Sequence, residues 1–419
     1  MLHRKEADVL VAGAGPVGLF SALRLARAGV RVQIVDRERD TAAHSYALAL
    51  HPRSLALLDE VGLAGDVLRQ AMIVRTVAFY EGSERKAELP LSEMGGAFRE
   101  VAVLPQSAVE DLLVQALIER RVPVLWNHRL GDLGPDGDRV RVGVDRLGKR
   151  STGYAYALTE WVVEKTLGSH VSYVLGADGH DSFVRRRLGL AYEEVGPPAL
   201  FAVFEFSVEA PVPHEVRVVL DESTTSVLWP LPGGRCRWSF EVKDSGEVLD
   251  RRAKNRLAVQ IGGRAFPYLE APQLASLIHE RAPWFKGTPA DVHWSLLVRF
   301  ERRLASGYGA GHTWLAGDAV HMTGPVGVQS MNVGLLEAAV LTDAVLERLG
   351  GGGATALQDY ERRFLAEWRT LLGLGPSGGP ALADPWLAAR GSRLLSCIPA
   401  SGDDLTHLVS RIRRPVAAS

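Results

Sequence analysis

The sequence predicts an α/β fold: a Rossmann-like parallel sheet flanked by helices, with a second, antiparallel-sheet domain inserted into it. Three observations carry this prediction. Near the start, a short apolar strand (8–12) runs into Gly13-Ala14-Gly15-Pro16-Val17-Gly18, then a helix, then a second strand, RVQIVD at 31–36. From about Leu200 to Val298 the pattern changes to short alternating strands. At Trp314–Ala316 the parallel-sheet texture returns and opens into a glycine-rich loop and another helix.

The elements follow in order. Pro16–Ala28 is helical and is closed by Gly29. His51–Gly62 places Leu55, Leu58 and Val61 on one helical face and stops at a glycine. Val74–Tyr80 reads as a strand. Gln106–Arg121 is an amphipathic helix, with Val109, Leu112, Leu113, Ala116 and Leu117 at helical spacing. Asp132–His170 is Gly/Asp-rich and reads as a β-meander or hairpin with its tip near Gly148–Gly153. Val171–Leu175 is a strand that delivers Gly176-Ala177-Asp178-Gly179. In the inserted region the strands are Leu200–Val208, Glu215–Leu220, Ser226–Pro230, Arg237–Val242 and Val292–Val298, with a helical stretch at Arg251–Arg281. Met331–Leu349 and Gln358–Leu372 are helices. The rest, to Ser419, is Gly/Pro-interrupted with one or two short helices. These boundaries divide the chain into a discontinuous nucleotide-binding domain (1–75, 100–198, 299–372), a substrate domain (76–99, 199–298) and a tail (373–419).

Composition excludes several classes. Hydrophobic residues at 47% and charged residues at 23% are those of a globular chain with a large core. A net charge of −1 gives no attraction to nucleic acid, and none is expected as a partner. The two cysteines, Cys236 and Cys397, form no CxxC or Cys/His pattern, so no metal site is expected. No signal peptide or apolar run of membrane-spanning length occurs, which points to the cytoplasm. Two motif-like strings carry nothing. Gly375-Pro376-Ser377-Gly378-Gly379 has the spacing of a serine-hydrolase elbow but no preceding strand. Gly143–Arg150 approaches a phosphate-binding loop but has arginine where Ser or Thr must reach magnesium.

The chemistry begins with Gly13-x-Gly15-x-x-Gly18 between a strand and a helix. Gly13 permits the tight turn, Gly15 lets the backbone approach a pyrophosphate, and Gly18 allows close packing. Pro16 and Val17 open the helix, whose free N–H groups and dipole favour phosphate. Asp36 ends the second strand 18 residues beyond Gly18, placed to accept ribose hydroxyls, and Arg37 follows it. This turn alone reads only as a dinucleotide site. Two later motifs extend it: Gly176-Ala177-Asp178-Gly179-His180-Asp181-Ser182-x-Val184-Arg185, and the run from Gly317-Asp318-Ala319-Val320-His321 through Pro325-Val326-Gly327-Val328-Gln329-Ser330-Met331-Asn332 to Gly334.

In this order and spacing the three motifs resemble the fingerprints of the aromatic-ring flavoprotein monooxygenases. That family includes p-hydroxybenzoate hydroxylase and the quinone- and polyketide-tailoring hydroxylases, and the resemblance covers about Ala7–Leu372. It implies the p-hydroxybenzoate hydroxylase-like fold, with FAD as cofactor, NADPH or NADH as transient reductant and O2 as co-substrate. Gly317 and Asp318 would face the flavin's ribityl or ribose hydroxyls. Pro325, Gly327, Val328 and Asn332 would pass beneath the isoalloxazine, and the helix near Asn332 would aim its N–H groups at flavin N1 and O2. Asp178 would lie near the pyrophosphate, supported by Arg185; Gln106 would contact the cofactor, and Leu130 would pack beside the adenine. The chain departs from the family at Val328 and Ser330, where glycines are usual, at Tyr46, where many members carry arginine, and at Asp36, in place of glutamate.

The resemblance implies a single-component monooxygenase that hydroxylates through a flavin C4a-hydroperoxide. Its substrate would be a flat hydrophobic phenol, quinol, quinolone or polyketide, and the protein a monomer or homodimer. Trp229, Trp238, Phe240 and Met322 are expected to wall the substrate pocket together with Pro325. His321, His293, His44 and Tyr46 are candidates for a base. Alternatives are another reaction on the same fold (epoxidation, Baeyer–Villiger oxidation, halogenation, dehydrogenation) or a non-catalytic flavin-binding protein. The Trp-x-Trp-x-Ile-Pro signature of halogenases is absent.

Overall fold

A computed structural model describes residues 7–41, 47–93, 95–152, 158–209, 211–243, 258–261, 264–267, 269–375 and 384–415. Two large sheets organise it. The first has the spatial order Gly309–Ala310, Thr313–Leu315, Tyr173–Gly176, Val9–Ala12, Val32–Asp36, Val124–Trp126. Its last five strands are parallel; only the short Gly309–Ala310 edge runs antiparallel. Val9–Ala12 is the pivot, pairing Val9 with Tyr173 on one side and with Val32 on the other. Its four residues are all buried, as a central parallel strand covered on both faces requires. The helices Pro16–Arg27, Gln106–Glu119 and Gln329–Leu349 pack against this sheet and share its core.

The second sheet has seven strands, in the order Pro289–Phe300, Ala199–Val208, Arg235–Val242, Thr225–Leu231, Glu215–Leu220, Thr76–Glu81, Glu84–Pro90. Thr76–Glu81 runs parallel to Glu215–Leu220; the other pairs are antiparallel. The single strand expected over Val74–Tyr80 is in fact two. Met72–Val74 belongs to a small sheet with Ala49–Leu50 and Val101–Val103, and the chain changes sheets at Arg75.

Side-chain alternation splits this sheet into two faces. Phe201, Val203, Val227, Trp229, Leu296 and Val298 lie on one, in a core shared with Val326 and Val328 of the glycine-rich loop and with the C-terminal segment. Ala202, Phe204, Leu228, Trp238, Phe240 and Leu297 lie on the other, beneath the helix Ala271–Arg281.

Three expectations need correction. Of the helix expected over Arg251–Arg281, Ala271–Arg281 is helical, whereas Ala258–Ile261 and Arg264–Pro267 pair as a short hairpin; 251–257, 262–263 and 268 lie outside the described residues. The β-branched and aromatic Val259, Ile261 and Phe266 favour strand, while Pro272 suits a first helical turn, where the Glu270/Gln273 capping box closes it. The excursion after Asp132 is a meander as expected, with Arg139–Thr152 antiparallel to both His128–Asp136 and Leu158–Val171, but its tip differs, because Gly148 lies within a strand. Among its described residues the C-terminal segment holds three short helices, Pro385–Ala388, Gly391–Cys397 and Gly402–Val409. No helix among the described residues is long and apolar enough to cross a membrane.

Candidate functional site

The three glycine-bearing motifs meet at the start of the Pro16–Arg27 helix. Gly13 has φ +102°, and a Cβ there would lie 2.1 Å from the carbonyl oxygen of Ala177, so the first motif touches the second through bare backbone. A Cβ at Gly18 would lie 2.0 Å from Gly13 O, and only hydrogen leaves room for the helix to close on its own turn. Gly317, at φ +68°, and Gly334 both pack on Val17: their added Cβ atoms would lie 3.0 and 2.7 Å from its Cγ2. The third motif therefore closes on the first as well. Gly15 differs, since a Cβ there would meet nothing within 4 Å. It borders a cleft of about 530 Å³ that also takes in Gly13, Asp36, Arg37, Leu130 and Asp178.

The polar groups around the cleft are arranged for a dinucleotide. The Pro16–Arg27 helix has no side-chain cap at its N-terminus, so its first N–H groups have no side-chain acceptor. Asp36 accepts from Ala14 N (2.5 Å) and Glu38 N (2.8 Å), which fixes its carboxylate at the strand end beside the turn. Asp178 accepts from Ser182 Oγ (2.5 Å) and Val184 N (3.1 Å). Burial raises its proton affinity, and those bonds oppose the rise. His128, Arg129, Phe183 and Arg186, which sequence reasoning had not singled out, also line the cleft. Gln106 is placed otherwise: its Nε2 donates to the buried Glu110 (2.7 Å), and it is not among the lining residues.

Arg185 ties the second and third motifs together. It is buried and donates to Ala319 O (2.7 Å) and His180 O (2.8 Å), with its guanidinium 3.7 Å from the Tyr192 ring centroid. Tyr192 in turn donates to Asp318 O (3.1 Å). The Asp318 carboxylate receives no hydrogen bond from the described residues and is accessible to solvent. Protein nevertheless crowds it from farther out, and that desolvation raises its proton affinity against the pull of His321 and His180.

Beneath this loop lies a buried polar cluster centred on Glu337, a residue the sequence does not single out. Glu337 is fully buried. Its Oε1 accepts from Tyr308 Oη (2.9 Å) and Trp368 Nε1 (3.0 Å), and its Oε2 from Gly317 N (2.7 Å) and lies 2.9 Å from His321 Nε2. His321 is stacked on Trp368 at 3.8 Å. An expected base is thus packed in the core, where it orients Glu337 and through it Gly317. His293 is on the outermost strand, exposed, with Nε2 2.8 Å from Ser207 Oγ. His44 and Tyr46 lie outside the described residues.

The ring end of the third motif is tightly tied. Asn332 is buried, and its side chain is fully engaged: Oδ1 accepts His51 N (2.8 Å), and Nδ2 donates to Ala49 O (2.9 Å) and Val328 O (2.7 Å). His51 Nε2 lies 2.9 Å from Gly327 O, and burial lowers its pKa to about 4, so it donates there as the neutral ring. The Gln329–Leu349 helix has no side-chain cap and no acid in its first turn, which leaves its leading N–H groups for an anionic partner. Its cap, Val328, is left-handed (φ 52°, ψ 39°). Pro325 and Met322 are half-buried beside this loop.

Of the expected substrate wall, Trp229 lies on the sheet face that shares a core with Val326 and Val328, and its buried Nε1 has no hydrogen-bond partner among the described residues. Trp238 and Phe240 do not share that face. They stack on each other at 4.8 Å beneath the Ala271–Arg281 helix, with Phe285 against Trp238. The period of two places 238 and 240 opposite 237 and 239, and only the assembled sheet reveals which set faces the loop. Buried Glu205 and Arg237 form a group with the half-buried Trp294 in the same sheet: Arg237 Nη2 and Trp294 Nε1 both donate to Glu205 Oε2, at 2.8 and 3.0 Å.

These features can be set beside known proteins. The family described as FAD binding domain matches residues 6–370. Over 364 residues the chain is 28% identical to 6-methylpretetramide 4-monooxygenase of Streptomyces rimosus, covering 84% of this chain and 58% of that protein's length. Over 368 residues it is 26% identical to para-nitrophenol 4-monooxygenase of Pseudomonas sp. strain WBC-3, covering 84% and 80%. Among solved structures, p-nitrophenol 4-monooxygenase from Pseudomonas putida DLL-E4 superposes with a TM-score of 0.68 at 20% identity, over 96% of this chain and 93% of that one. A complex of aklavinone-11 hydroxylase with FAD and aklavinone does so at 0.64 and 22%, over 89% and 68%. The convergence of all three motifs on one turn, the uncapped helix starts and the exposed Asp318 suit the phosphates, hydroxyls and ring of FAD. The chain belongs to the FAD binding domain family, and FAD is its cofactor.

Proposed function

We propose that this protein is an NAD(P)H- and O2-dependent monooxygenase that hydroxylates a flat, hydrophobic aromatic molecule of the phenol, quinone or polyketide kind. The observation that carries this reading is the meeting of the three motifs at one glycine turn, with an apolar sheet face opposite the third. When bound, FAD supplies the redox chemistry: it accepts hydride from NAD(P)H and activates O2.

The protein's own residues bind, orient and exclude water. The Gly13–Gly18 turn and the helix it opens hold the pyrophosphate, with Asp36 and Asp318 on the hydroxyls and Leu130 and Arg37 toward the adenosine. The start of the Gln329–Leu349 helix, next to Gly327 and Val328, turns N–H groups toward negative charge on the ring. Trp229, Phe201 and Val203, with Met322 and Pro325 opposite, keep the reacting face dry. Trp229 Nε1 is the polar handle of that wall, placed to donate to a substrate oxygen. His321 is assigned no proton transfer; its part is to hold Glu337, and thereby Gly317. The names of relatives, para-nitrophenol and 6-methylpretetramide among their substrates, support an aromatic ring that already bears oxygen. A cytoplasmic location, where NAD(P)H is regenerated, goes with this reading.

The test is to purify the full chain, measure FAD uptake, and follow NAD(P)H oxidation with O2 consumption across a panel of nitrophenols, quinols, quinolones and tetracyclic polyketides. FAD-containing protein whose NAD(P)H oxidation is stimulated by a panel member, with one oxygen atom found in the product, is expected. Protein that takes up no FAD overturns the site. Protein whose flavin NAD(P)H cannot reduce makes it a non-catalytic flavin carrier.

A further inference from the structure

Val328 is one of three non-glycine residues with positive φ among the described residues, and the only β-branched one; the others are Arg121 and Asn127. A β-branched side chain in the left-handed region is strained, and such a conformation persists only where its surroundings over-determine it. Three restraints come from the loop's own side: His51 on Gly327 O, Asn332 on Val328 O, and His51 N on Asn332.

The fourth comes from the C-terminal segment. Gly327 faces the carbonyl oxygens of Ser396 and Ile398 so closely that an added Cβ would lie 2.4 and 3.2 Å from them. Next to Val328, the buried Gln329 amide points into the same segment, with Nε2 3.3 Å from Leu395 O, 3.4 Å from Ile398 O and 3.5 Å from Ala400 O. Each contact is long, but the three carbonyls converge on one amide at the end of the Gly391–Cys397 helix. The segment is itself anchored to the seven-stranded sheet. Arg393 donates to Thr224 O (2.8 Å) and Asp221 O (2.7 Å), Arg390 to Leu220 O (3.2 Å), and Trp386 Nε1 to Glu81 (2.9 Å).

We propose that residues 395–400, acting through Gln329 and Gly327, form a clamp that holds Val328 left-handed and so fixes where the loop presents its N–H groups to the flavin ring. Gln329 is a positioning residue in this scheme, and the clamp rests on the flavin reading given above. The anchored segment transmits the position of the seven-stranded sheet to the loop, so the two walls of the substrate space move as one.

The test is a double-mutant cycle on the full chain. Gln329→Met keeps the side-chain volume and removes the amide, Val328→Gly removes the strain, and the third variant carries both. Two readouts are taken: amide hydrogen exchange of residues 324–331 in FAD-free protein, and the dissociation constant and visible spectrum of bound FAD. Gln329→Met is expected to speed exchange of the loop and weaken FAD by about tenfold, with a shifted flavin spectrum. In the Val328→Gly background the same substitution is expected to change each by less than about threefold, because glycine adopts the left-handed region unaided. Wild-type exchange and spectrum in Gln329→Met, or the full defect in the double variant, would overturn the clamp. Should Gln329→Met not fold, Arg393→Met, which frees the segment from Asp221 and Thr224 at a distance from the loop, carries the same expectation and the same refutation. Absence of FAD uptake by the unaltered protein would defeat the flavin reading, while the exchange measurement would still decide the clamp.

Discussion

His51 makes the ring-end loop acid-sensitive, and the size of the effect can be worked out. The imidazole is buried, donates to Gly327 O and has its pKa lowered from 6.5 to about 4. The folded value lies below the unfolded one, so the stabilisation is complete above the unfolded value. It is lost as pH falls from about 6.5 toward 4, with no further loss below that, because only the open state takes up the proton across this window. Between pH 7.5 and pH 5 the closed loop should lose about 2 kcal/mol relative to the open one, an opening equilibrium about 30-fold larger. The assay is hydrogen exchange of the amides at 324–333 in wild type and in His51→Gln, corrected for the intrinsic pH dependence of exchange. His51→Gln removes the titration, so its loop should open more than wild type at pH 7.5, where the His51 bond is fully in place, but with the pH-dependent part gone. The same slope in both proteins between pH 7.5 and 5 would refute the assignment and place the acid sensitivity elsewhere.

Other outcomes follow from the same geometry. Gly13→Ala drives a methyl group to 2.1 Å from Ala177 O at φ +102°; it should cost more than about 3 kcal/mol and abolish FAD uptake, read by flavin fluorescence after gel filtration. Glu337→Gln leaves a buried amide among donors that all need an acceptor, so the thermal midpoint should fall by about 5 °C, corresponding to roughly 4 kcal/mol; an unchanged midpoint would show that the cluster bears no strain when the charge is gone. Trp229→Leu and Trp238→Leu should separate the two sheet faces: both side chains are buried and each change should cost about 3 kcal/mol, but only the first should raise the KM of an active substrate several-fold, the second leaving KM intact. The reverse pattern would exchange the faces.

The glycine motifs are legible in the sequence because their constraint is local. A strand, a turn that only glycine can make and a helix start within ten residues of each other leave few alternatives. Asp36 and Asp178 are legible for the same reason: Asp36 ends one strand of the parallel sheet, Asp178 lies two residues past the end of another, and both line the cleft there. Trp238 and Phe240 are misplaced by the same reading, because an alternating strand reveals that it has two faces but not which face meets a partner 80 residues away. Glu337 sits mid-helix, where an acid ordinarily reads as a solvated position; only its donors, gathered from Tyr308, Gly317, His321 and Trp368, reveal its task. His51 reads as the residue before a proline-started helix, and its bond to Gly327, 276 positions on, leaves no trace in spacing. The hairpin of Ala258–Ile261 with Arg264–Pro267 is the opposite case: its polar and apolar residues do not alternate strictly, so the period of two that marks a strand is missing from the sequence there.

The change of sheet at Arg75 has a consequence for how the molecule can be made. The seven-stranded sheet takes two strands from 76–90 and five from 199–300. The parallel sheet takes strands from 9–36, 124–126, 173–176 and 309–315. Neither sheet can be completed by an unbroken stretch of chain, and neither can finish during synthesis before residues of the other have left the ribosome. Thr76–Glu81 must wait for Glu215–Leu220, its parallel partner, and Tyr173–Gly176 must wait for Thr313–Leu315. Folding is therefore slow and late, with unpaired strand edges exposed in the interval. A fragment cut at either sheet's nominal border would carry a torn edge, so excision or domain exchange must transplant both layers together.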